Sequence, residues 1–269
     1  MVFVLDVGNS NIKCGLFNNR KLINSWRMTT KLQRTADEYG IRIMAFFNHV
    51  GFKPDDVDGI IISSVIPTIN YTLQHMCAIY FNKRAMVVGP GIKTGINIKY
   101  DNPKELGADR IVGAIAAYTL YGGPCITVDF GTATTFGAIS KDGDFLGGAI
   151  CPGLKISAAA LTDSAAKLPR VELVKPESII ATNTITGMQA GIIYGYVGQV
   201  DYIIRRFKKE MGGSPKVIAT GGLAKMVAQD TQEIDEINSL LTLIGLDIVY
   251  RKNKKNSQEI KGNTQDETG

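Results

Sequence analysis

Two short segments of the sequence each combine an aspartate, a glycine and small polar residues between apolar runs. The first reads Asp6-Val7-Gly8-Asn9-Ser10-Asn11-Ile12-Lys13. Glycine and small neighbours at a tight turn let backbone N–H groups and polar side chains approach a phosphate closely. Lys13 would add a positive charge, and Asp6, at the end of a strand, is placed to hold Mg²⁺ directly or through water. The segment predicts a phosphate-binding hairpin; the alternative is an ordinary turn.

The second segment lies near the middle of the chain and reads Val128-Asp129-Phe130-Gly131-Thr132-Ala133-Thr134-Thr135-Phe136. It has no lysine, but hydroxyls at Thr132, Thr134 and Thr135 could line the other side of a phosphate chain. A buried Asp129 with no basic neighbour in sequence would be costly unless it binds a cation. The alternative is a threonine run chosen for its strand propensity.

A third segment, Ala219-Thr220-Gly221-Gly222-Leu223, follows an apolar strand and opens a helix. Its glycines would let a flat purine or a ribose lie against the backbone, although such turns are common. The sequence contains neither G-x-x-x-x-G-K-[ST] nor G-x-G-x-x-G, so it supports neither a P-loop nor a Rossmann site.

The elements around the two hairpins repeat, which indicates a duplicated domain in residues 1–115 and 116–252, followed by a disordered polar tail in 253–269. Strands alternate with helices in both halves, so the predicted class is α/β. The predicted strands are 22–29, 60–65, 85–88, 145–150 and 216–219, and the predicted helices are 35–50, 68–81, 107–121, 184–211 and 223–228, with a short one after Pro152.

Composition excludes several classes of protein. The net charge of +5 over 269 residues is too weak to indicate nucleic acid binding. No apolar run is long enough to span a membrane, and we expect a cytoplasmic protein. The four cysteines are scattered and are predicted to be free thiols of a reducing compartment. With only His49 and His75, a histidine metal cluster or a Ser-His-Asp triad is not expected.

The chain resembles type III pantothenate kinase, within the superfamily of actin, sugar kinases and Hsp70. The two hairpins and the Gly-Gly turn match in order, as do residues 147–154, 168–170 and 184–201. The most specific segment is Tyr100-Asp101-Asn102-Pro103-Lys104-Glu105-Leu106-Gly107-Ala108-Asp109-Arg110. The resemblance covers residues 2 to about 252, and it implies duplicated ribonuclease-H-like domains with the active site in the cleft between them.

The resemblance also implies roles for individual residues. Residues Asp6 to Lys13 and Thr132 would bind ATP with Mg²⁺ near Asp6, Asp129 would bind a monovalent cation (K⁺ or NH₄⁺), and Asp109 would be the general base. Pantothenate would be contacted by Tyr100, Gly107, Ala108, Asp109, Arg110 and Thr184. The chemistry agrees, because a carboxylate at a helix start can take the proton of a primary hydroxyl and an arginine suits a carboxylate. The alternative is a helix-capping acid beside a surface arginine.

The chain departs from the family pattern at three positions: Gly137 stands where an aspartate is expected, and Gly187 and Ala190 where serines are expected. They adjoin matched positions, so they bear on substrate affinity and fine geometry more than on class.

The predicted helix 184–211 carries Gly187, Gly191 and Gly195 on one face. Each glycine costs a helix about 1 kcal/mol relative to alanine, so a close backbone neighbour is indicated. Beside them runs an apolar stripe at the same period: Met188, Ile192, Tyr196 and Val200. The glycine face could pack on the chain's own sheet. The family resemblance implies instead a homodimer with this helix at the two-fold axis.

Three other functions compete with this one. They are another small-metabolite kinase of the superfamily, acting on a sugar or acetate, a non-catalytic regulatory relative, and an actin-like polymer. The presence of Asp6, Lys13, Asp109 and Asp129 favours a working enzyme.

Overall fold

The structure is a computed structural model that describes the backbone of residues 1–266 and the side chains of residues 1–254. Its strands are β1 Val2–Val7, β2 Asn11–Asn18, β3 Lys21–Thr29, β4 Gly59–Ser64, β5 Met86–Val87, β6 Cys125–Phe130, β7 Ala133–Ile139, β8 Phe145–Pro152, β9 Lys216–Gly221 and β10 Glu236–Ile237. Its helices are α1 Ala36–His49, α2 Pro67–Phe81, α3 Ala108–Tyr121, α4 Leu154–Ser164, α5 Thr184–Met211, α6 Ala224–Ala228 and α7 Leu241–Asp266.

The chain divides into two compact units. The first contains residues 1–97, 101–116 and 240–269, and the second contains 98–100 and 117–239. The expected junction between residues 115 and 116 lies inside α3. The expected C-terminal half of 116–252 differs from this division, because residues from Leu240 onward belong to the first unit.

The first unit is built on a five-stranded sheet in the order β3-β2-β1-β4-β5. β1 pairs antiparallel with β2 and parallel with β4. Alternate β1 residues Phe3, Leu5 and Val7 lie in a buried cluster with Tyr39 of α1 and Leu73 of α2. Because side chains alternate across a strand, Val2, Val4 and Asp6 face the other side of the sheet.

Helix α7 covers that other side, and the sequence analysis did not predict this helix. Its apolar residues Leu241, Leu246 and Val249 are fully buried. A Cβ built at Gly245 would lie 2.0 Å from the carbonyl oxygen of Val112, so glycine lets α7 approach α3 closely. The tail expected to be disordered from residue 253 begins within α7, and residues 267–269 lie outside the described part.

The second unit has a five-stranded sheet in the order β10-β9-β6-β7-β8. Read from its other end, this is the order of the first sheet, and the pairings are the same: β6 with β7 antiparallel and with β9 parallel. The duplication inferred from the two hairpins is therefore confirmed by topology. On one face, Phe130 and Phe136 pack with the apolar stripe of α5 that contains Ile192 and Tyr196.

Most predicted elements are present within a few residues of their expected bounds, and α5 matches its prediction of 184–211. Thr35 caps α1 with a reciprocal bond to Glu38, the arrangement that fixes a helix start. The two-residue strand β10 and helix α7 are the elements that the sequence analysis missed.

The described helices include none that is long and apolar enough to cross a membrane. All four cysteines are free thiols. Burial raises the pKa of Cys77 and of Cys125 to about 12, so both thiols are unreactive near neutral pH.

Candidate functional site

The first hairpin turn is closed by a backbone hydrogen bond and held by Thr30, the residue that follows β3. The N–H of Gly8 donates to the carbonyl of Asn11 at 3.0 Å, and the Thr30 hydroxyl donates to the Gly8 carbonyl at 2.7 Å. The side chains of Asn9, Ser10 and Asn11 are exposed, while those of Val7 and Ile12 lie in the core. The turn therefore exposes three polar side chains, while the backbone groups of Gly8 and Asn11 that close it already have partners.

Asp6 is a buried carboxylate of this unit, with only 6% of its surface exposed. Its carboxylate accepts a hydrogen bond of 2.9 Å from the Thr242 hydroxyl of α7, and the Lys13 ammonium lies 3.6 Å away. Lys13 is its register partner on β2, so both side chains leave the same face of the sheet. A buried carboxylate needs such polar partners to offset the cost of leaving water.

Ser63 is the register partner of Asp6 on the other side, in the parallel strand β4. Its hydroxyl is fully buried and has no hydrogen-bond partner among the described residues. An unsatisfied buried hydroxyl costs about 1–3 kcal/mol. Ser63 is therefore a donor and acceptor available beside Asp6 to a bound water or ligand.

Asp109 stands in the first turn of α3, where its carboxylate accepts from the N–H of Arg110 at 2.8 Å. Burial is the main cause that raises its pKa above the usual range, and the negative charge of Asp6 adds to it. Asp109 and Asp6 thus belong to one electrostatic site within the first unit. A carboxyl that binds a proton more readily is what a general base requires.

Gly107 makes room for this carboxylate. A Cβ built at Gly107 would lie 2.5 Å from Oδ1 of Asp109, closer than real Cβ atoms approach. The Gly107 carbonyl also accepts the N–H groups of Arg110 and Ile111, which starts the helix. The Gly107-Ala108-Asp109-Arg110 segment is therefore a helix start shaped around one acid, with Ala108 and Arg110 partly buried.

In the second unit, Asp129 occupies the place that Asp6 has in the first. Its register partners are Thr135 on β7 and Thr220 on β9. The Thr220 hydroxyl is buried and unpartnered among the described residues, as Ser63 is. Gly221, with φ of +95°, lets the backbone pass the carboxylate, since a Cβ there would lie 2.5 Å from Oδ1 of Asp129.

Thr132 and Thr134 of the second hairpin differ in exposure, and Thr134 does not lie where the sequence predicts it. Thr132 is exposed at the hairpin turn, and its carbonyl accepts the N–H of Gly153 at 3.1 Å. Thr134 is buried, and its hydroxyl lies 2.5 Å from the phenol oxygen of Tyr196. Adjacent strand residues face opposite sides, so Thr134 cannot line a ligand together with Thr135 as the sequence analysis expected.

Tyr100 belongs to the second unit through a short backbone strap. Ile98 bridges to Phe145, the Lys99 N–H donates to the Phe145 carbonyl at 2.8 Å, and the rings of Tyr100 and Phe145 are 6.1 Å apart. A Cβ built at Gly137 would lie 2.7 Å from the Thr127 hydroxyl oxygen and 2.9 Å from the Phe145 ring. The glycine found in place of the expected aspartate therefore makes room for this hydroxyl and this ring.

Thr184 is exposed and is the first residue of α5, whose N-cap Asn183 accepts from the N–H of Thr186 at 3.0 Å. The structure thus gathers Asp6, Gly8, Lys13 and Asp109 within the first unit, and Asp129, Thr132, Tyr100 and Thr184 within the second. Three polar residues beside the aspartates were not identified as such from sequence, namely Ser63, Thr220 and Thr242. Only the apolar spacing of residues 241–249 could have indicated the helix that carries Thr242.

The side chains that the structure describes contain no group of three or more His, Cys, Asp and Glu that could hold a metal ion. A metal cage made by protein ligands alone is therefore not built from them. Mg²⁺ suits a different arrangement, because it commonly keeps several waters and binds one or two carboxylates together with substrate phosphates. Asp6, with the unpartnered hydroxyl of Ser63 in register beside it, fits that kind of site.

The model of the family described as type III pantothenate kinase matches residues 2–206. This span includes both hairpins, the Gly107–Arg110 segment and most of α5.

Solved structures resemble the whole chain at low sequence identity. A conserved Baf family protein from Campylobacter jejuni, named as a candidate transcriptional activator, has a TM-score of 0.60 and 19% identity, covering 94% of this chain and 99% of its own. The activator of 2-hydroxyisocaproyl-CoA dehydratase from Clostridium difficile, with bound ADPNP, has a TM-score of 0.57 and 12% identity, covering 96% of this chain and 97% of its own. A candidate 2-dehydro-3-deoxygalactonokinase from Sinorhizobium meliloti has a TM-score of 0.57 and 11% identity, covering 94% of this chain and 96% of its own. These likenesses establish the fold of actin-like ATPases and sugar kinases.

The Asp109 carboxyl should stabilise the folded protein more at acid pH, where it is protonated, than at neutral pH, where it is charged. Since its pKa is raised on folding, its favourable contribution is complete below the unfolded value of about 3.9 and is lost as pH rises through the folded value. We expect Asp109→Asn to be more stable than the wild type at pH 7, with the difference shrinking towards pH 4. Urea unfolding midpoints across this range measure it.

Asp55→Asn is the matched control, because it removes an exposed carboxylate of the same unit with the same change in net charge. A gain in stability for Asp109→Asn that is constant with pH, or equal to that of Asp55→Asn, would contradict a raised pKa at Asp109.

Proposed function

Because the chain belongs to the type III pantothenate kinase family, we propose that it transfers the terminal phosphoryl group of ATP to pantothenate, forming 4'-phosphopantothenate in the first step of coenzyme A biosynthesis. The observation that carries this proposal is the pairing of Asp109, a carboxyl of raised pKa at a helix start, with the phosphate-type hairpin of Asp6 in one unit. A kinase needs both a base and a charged phosphate cradle, and phosphoryl transfer depends mainly on positioning and charge neutralisation.

ATP is held in this proposal by the first hairpin. The exposed side chains of Asn9, Ser10 and Asn11 donate to phosphate oxygens, Gly8 lets the phosphate approach the turn closely, and Lys13 supplies the positive charge. Val7 and Ile12 have buried side chains and contribute by anchoring the two strands that hold the turn. Thr132, exposed on the second hairpin turn, adds a hydroxyl.

Asp109 acts as the general base. It takes the proton of the primary hydroxyl while that oxygen forms its bond to the γ-phosphorus, and the bond from this phosphorus to the bridging oxygen breaks to release ADP. The protein ends the step with a protonated Asp109, which returns its proton to water. Burial and the nearby charge of Asp6 favour the protonated form, so they increase the drive for the transfer.

Pantothenate is bound by the residues that surround this base. Gly107 and Ala108 shape the helix start, and Arg110 is the donor suited to the substrate carboxylate. Tyr100, held on Phe145 by its backbone strap, offers a ring and a hydroxyl. Thr184 offers an exposed hydroxyl at the start of α5.

Two cations complete the proposal. Mg²⁺ would be held by Asp6, directly or through water kept by Ser63, and when bound it would neutralise phosphate charge. Asp129 would hold K⁺ or NH₄⁺, and the unpartnered Thr220 hydroxyl in register beside it supports this assignment. Oxygen donors of this kind suit a hard monovalent cation.

The active form in this proposal is a homodimer joined through the glycine face of α5, defined by Gly187, Gly191 and Gly195. The apolar stripe beside it packs into the unit's own core, whereas Cβ atoms built at Gly191 and Gly195 meet no described atom within 4 Å. Strongly exposed apolar residues flank the start of the helix, with Ile180 81% exposed, as well as Ile179 and Ile185. Exposed apolar surface beside an open backbone face suits a self-complementary contact.

The proposed reaction is tested by ADP formation with and without pantothenate, with a sugar and acetate as rival acceptors. Of the three acceptors, we expect only pantothenate to be phosphorylated. The turnover rate of Asp109→Asn with pantothenate should be lower by about 100-fold or more, the size of a general-base contribution. Unfolding measurements on the same variant show whether it remains folded.

Asp101→Asn is the control variant, because it removes an exposed acid from the same segment. Turnover with a sugar in place of pantothenate would contradict the substrate, and full turnover of folded Asp109→Asn would remove this residue from the role of base.

The monovalent site is tested by the same assay in K⁺ and Na⁺ buffers of equal ionic strength. We expect faster turnover in K⁺, because an Asp129 carboxylate near phosphate oxygens needs a counter-charge that fits its site. Asp129→Asn should remove the difference between the two ions. Equal turnover rates of the wild type in both buffers would contradict a K⁺ or NH₄⁺ site at Asp129.

The dimer is tested by light scattering at assay concentration, where we expect twice the chain mass of 29.1 kDa. Gly191→Leu should give a folded monomer of low activity, because its side chain has free space within the chain and would obstruct only a partner's backbone. Lys209→Leu, about 27 Å further along the same helix, is the control that should stay dimeric. A fully active wild-type monomer would overturn the proposal.

A further inference from the structure

A cavity of about 380 Å³ opens in the first unit, on the edge of the sheet where β1 and β4 begin. It is lined by Asp58, Gly59, Ile60, Lys83, Arg84, Met86, Tyr250 and Lys254. Because β1 and β4 are parallel, Asp6 and Ser63 lie at the opposite ends of these strands. About four residues of strand, or roughly 13 Å, separate the cavity's edge from Asp6. The cavity is therefore separate from the proposed phosphoryl-transfer site.

The charges around this cavity are unbalanced. Lys83, Arg84 and Lys254 form no ion pair with any side chain that the structure describes. The one acid, Asp58, is held by the α-amino group of Met1, whose nitrogen lies 2.5 Å from its carboxylate. That hydrogen bond is the main cause that lowers the pKa of Asp58, and the charges of Lys254 and Lys83 add to it. With Asp58 already paired, three cations face the cavity.

The phenol ring of Tyr250 lines one side of the cavity, and Gly59 makes room for it. A Cβ built at Gly59 would lie 1.7 Å from the phenol oxygen of Tyr250, so the ring can cross the start of β4 only because residue 59 has no side chain. The ring is 8% exposed, and its position places a hydroxyl donor among the cations. Lysine, arginine and phenol donors together are the chemistry that recognises phosphate oxygens.

From this cluster we propose that the cavity is a binding site for a phosphate group of a small metabolite. The three cations supply charge for a dianion, the guanidinium of Arg84 offers a bidentate donor, and Tyr250 adds a directed hydrogen bond. The volume falls in the range of small-ligand pockets, about 300–1,000 Å³, and exceeds what a single ion needs. The ligand class is therefore a phosphate ester or a diphosphate.

Isothermal titration with inorganic pyrophosphate tests this site. The double variant Lys83→Gln/Arg84→Gln should weaken the saturable binding at least tenfold, because it removes two of the three charges. Tyr250→Phe keeps the ring and removes only the hydroxyl, so it should weaken binding several-fold without loss of folding. Melting temperatures confirm that both variants fold.

Lys141→Gln/Lys209→Gln is the matched control, since it removes two exposed lysines of the second unit and changes net charge by the same amount. Retained binding in the control together with lost binding in the cavity variant supports the site. The absence of saturable binding to the wild type, or equal binding by all variants, overturns it. An equal loss in both double variants would also overturn it, because overall charge would then explain the binding.

Discussion

The fold of the first unit depends on satisfying one buried carboxylate inside a sheet. Asp6 sits on the central strand with 6% of its surface exposed, and its charge is satisfied by Thr242 from α7 and by Lys13 from β2. Neither partner is optional, since an unpaired buried charge costs far more than one hydrogen bond returns. This explains why the last described helix of the chain closes over the first strand and why Gly245 and Gly59 admit it so closely.

The second unit has the same sheet topology as the first, but its hairpin has no lysine beside the aspartate. Its strand order and pairings repeat those of the first unit, and Asp129 has an unpartnered hydroxyl in register beside it as Asp6 does. The lysine of the first hairpin is replaced in register by Thr135. The same topology thus carries one hairpin with a lysine and one with hydroxyls, and the family match covers both.

Several glycines allow close contacts that a side chain would prevent, and the physical reason differs from one position to another. Gly221 has a positive φ and brings backbone against Asp129, whereas Gly107 has an ordinary conformation and makes room for the Asp109 carboxylate. Gly137 accommodates the Phe145 ring that supports Tyr100. On α5, Cβ atoms built at Gly191 and Gly195 meet nothing within 4 Å among the described residues, whereas one built at Gly187 would lie 3.9 Å from the Cβ of Ala181.

The sequence by itself determined the α/β class, the duplicated hairpins, most helices including α5, and the segment around Asp109, because these follow from local periodicity, turn chemistry and short motifs. Tertiary structure alone decided which strand partners flank each aspartate, that Thr134 faces Tyr196 rather than a ligand, and that α7 returns to the first unit. These features depend on contacts between distant residues, such as Thr242 and Asp6. No local pattern in the sequence records such a pairing, since a hydroxyl and a carboxylate become partners only when the sheet and the helix bring them within hydrogen-bond reach.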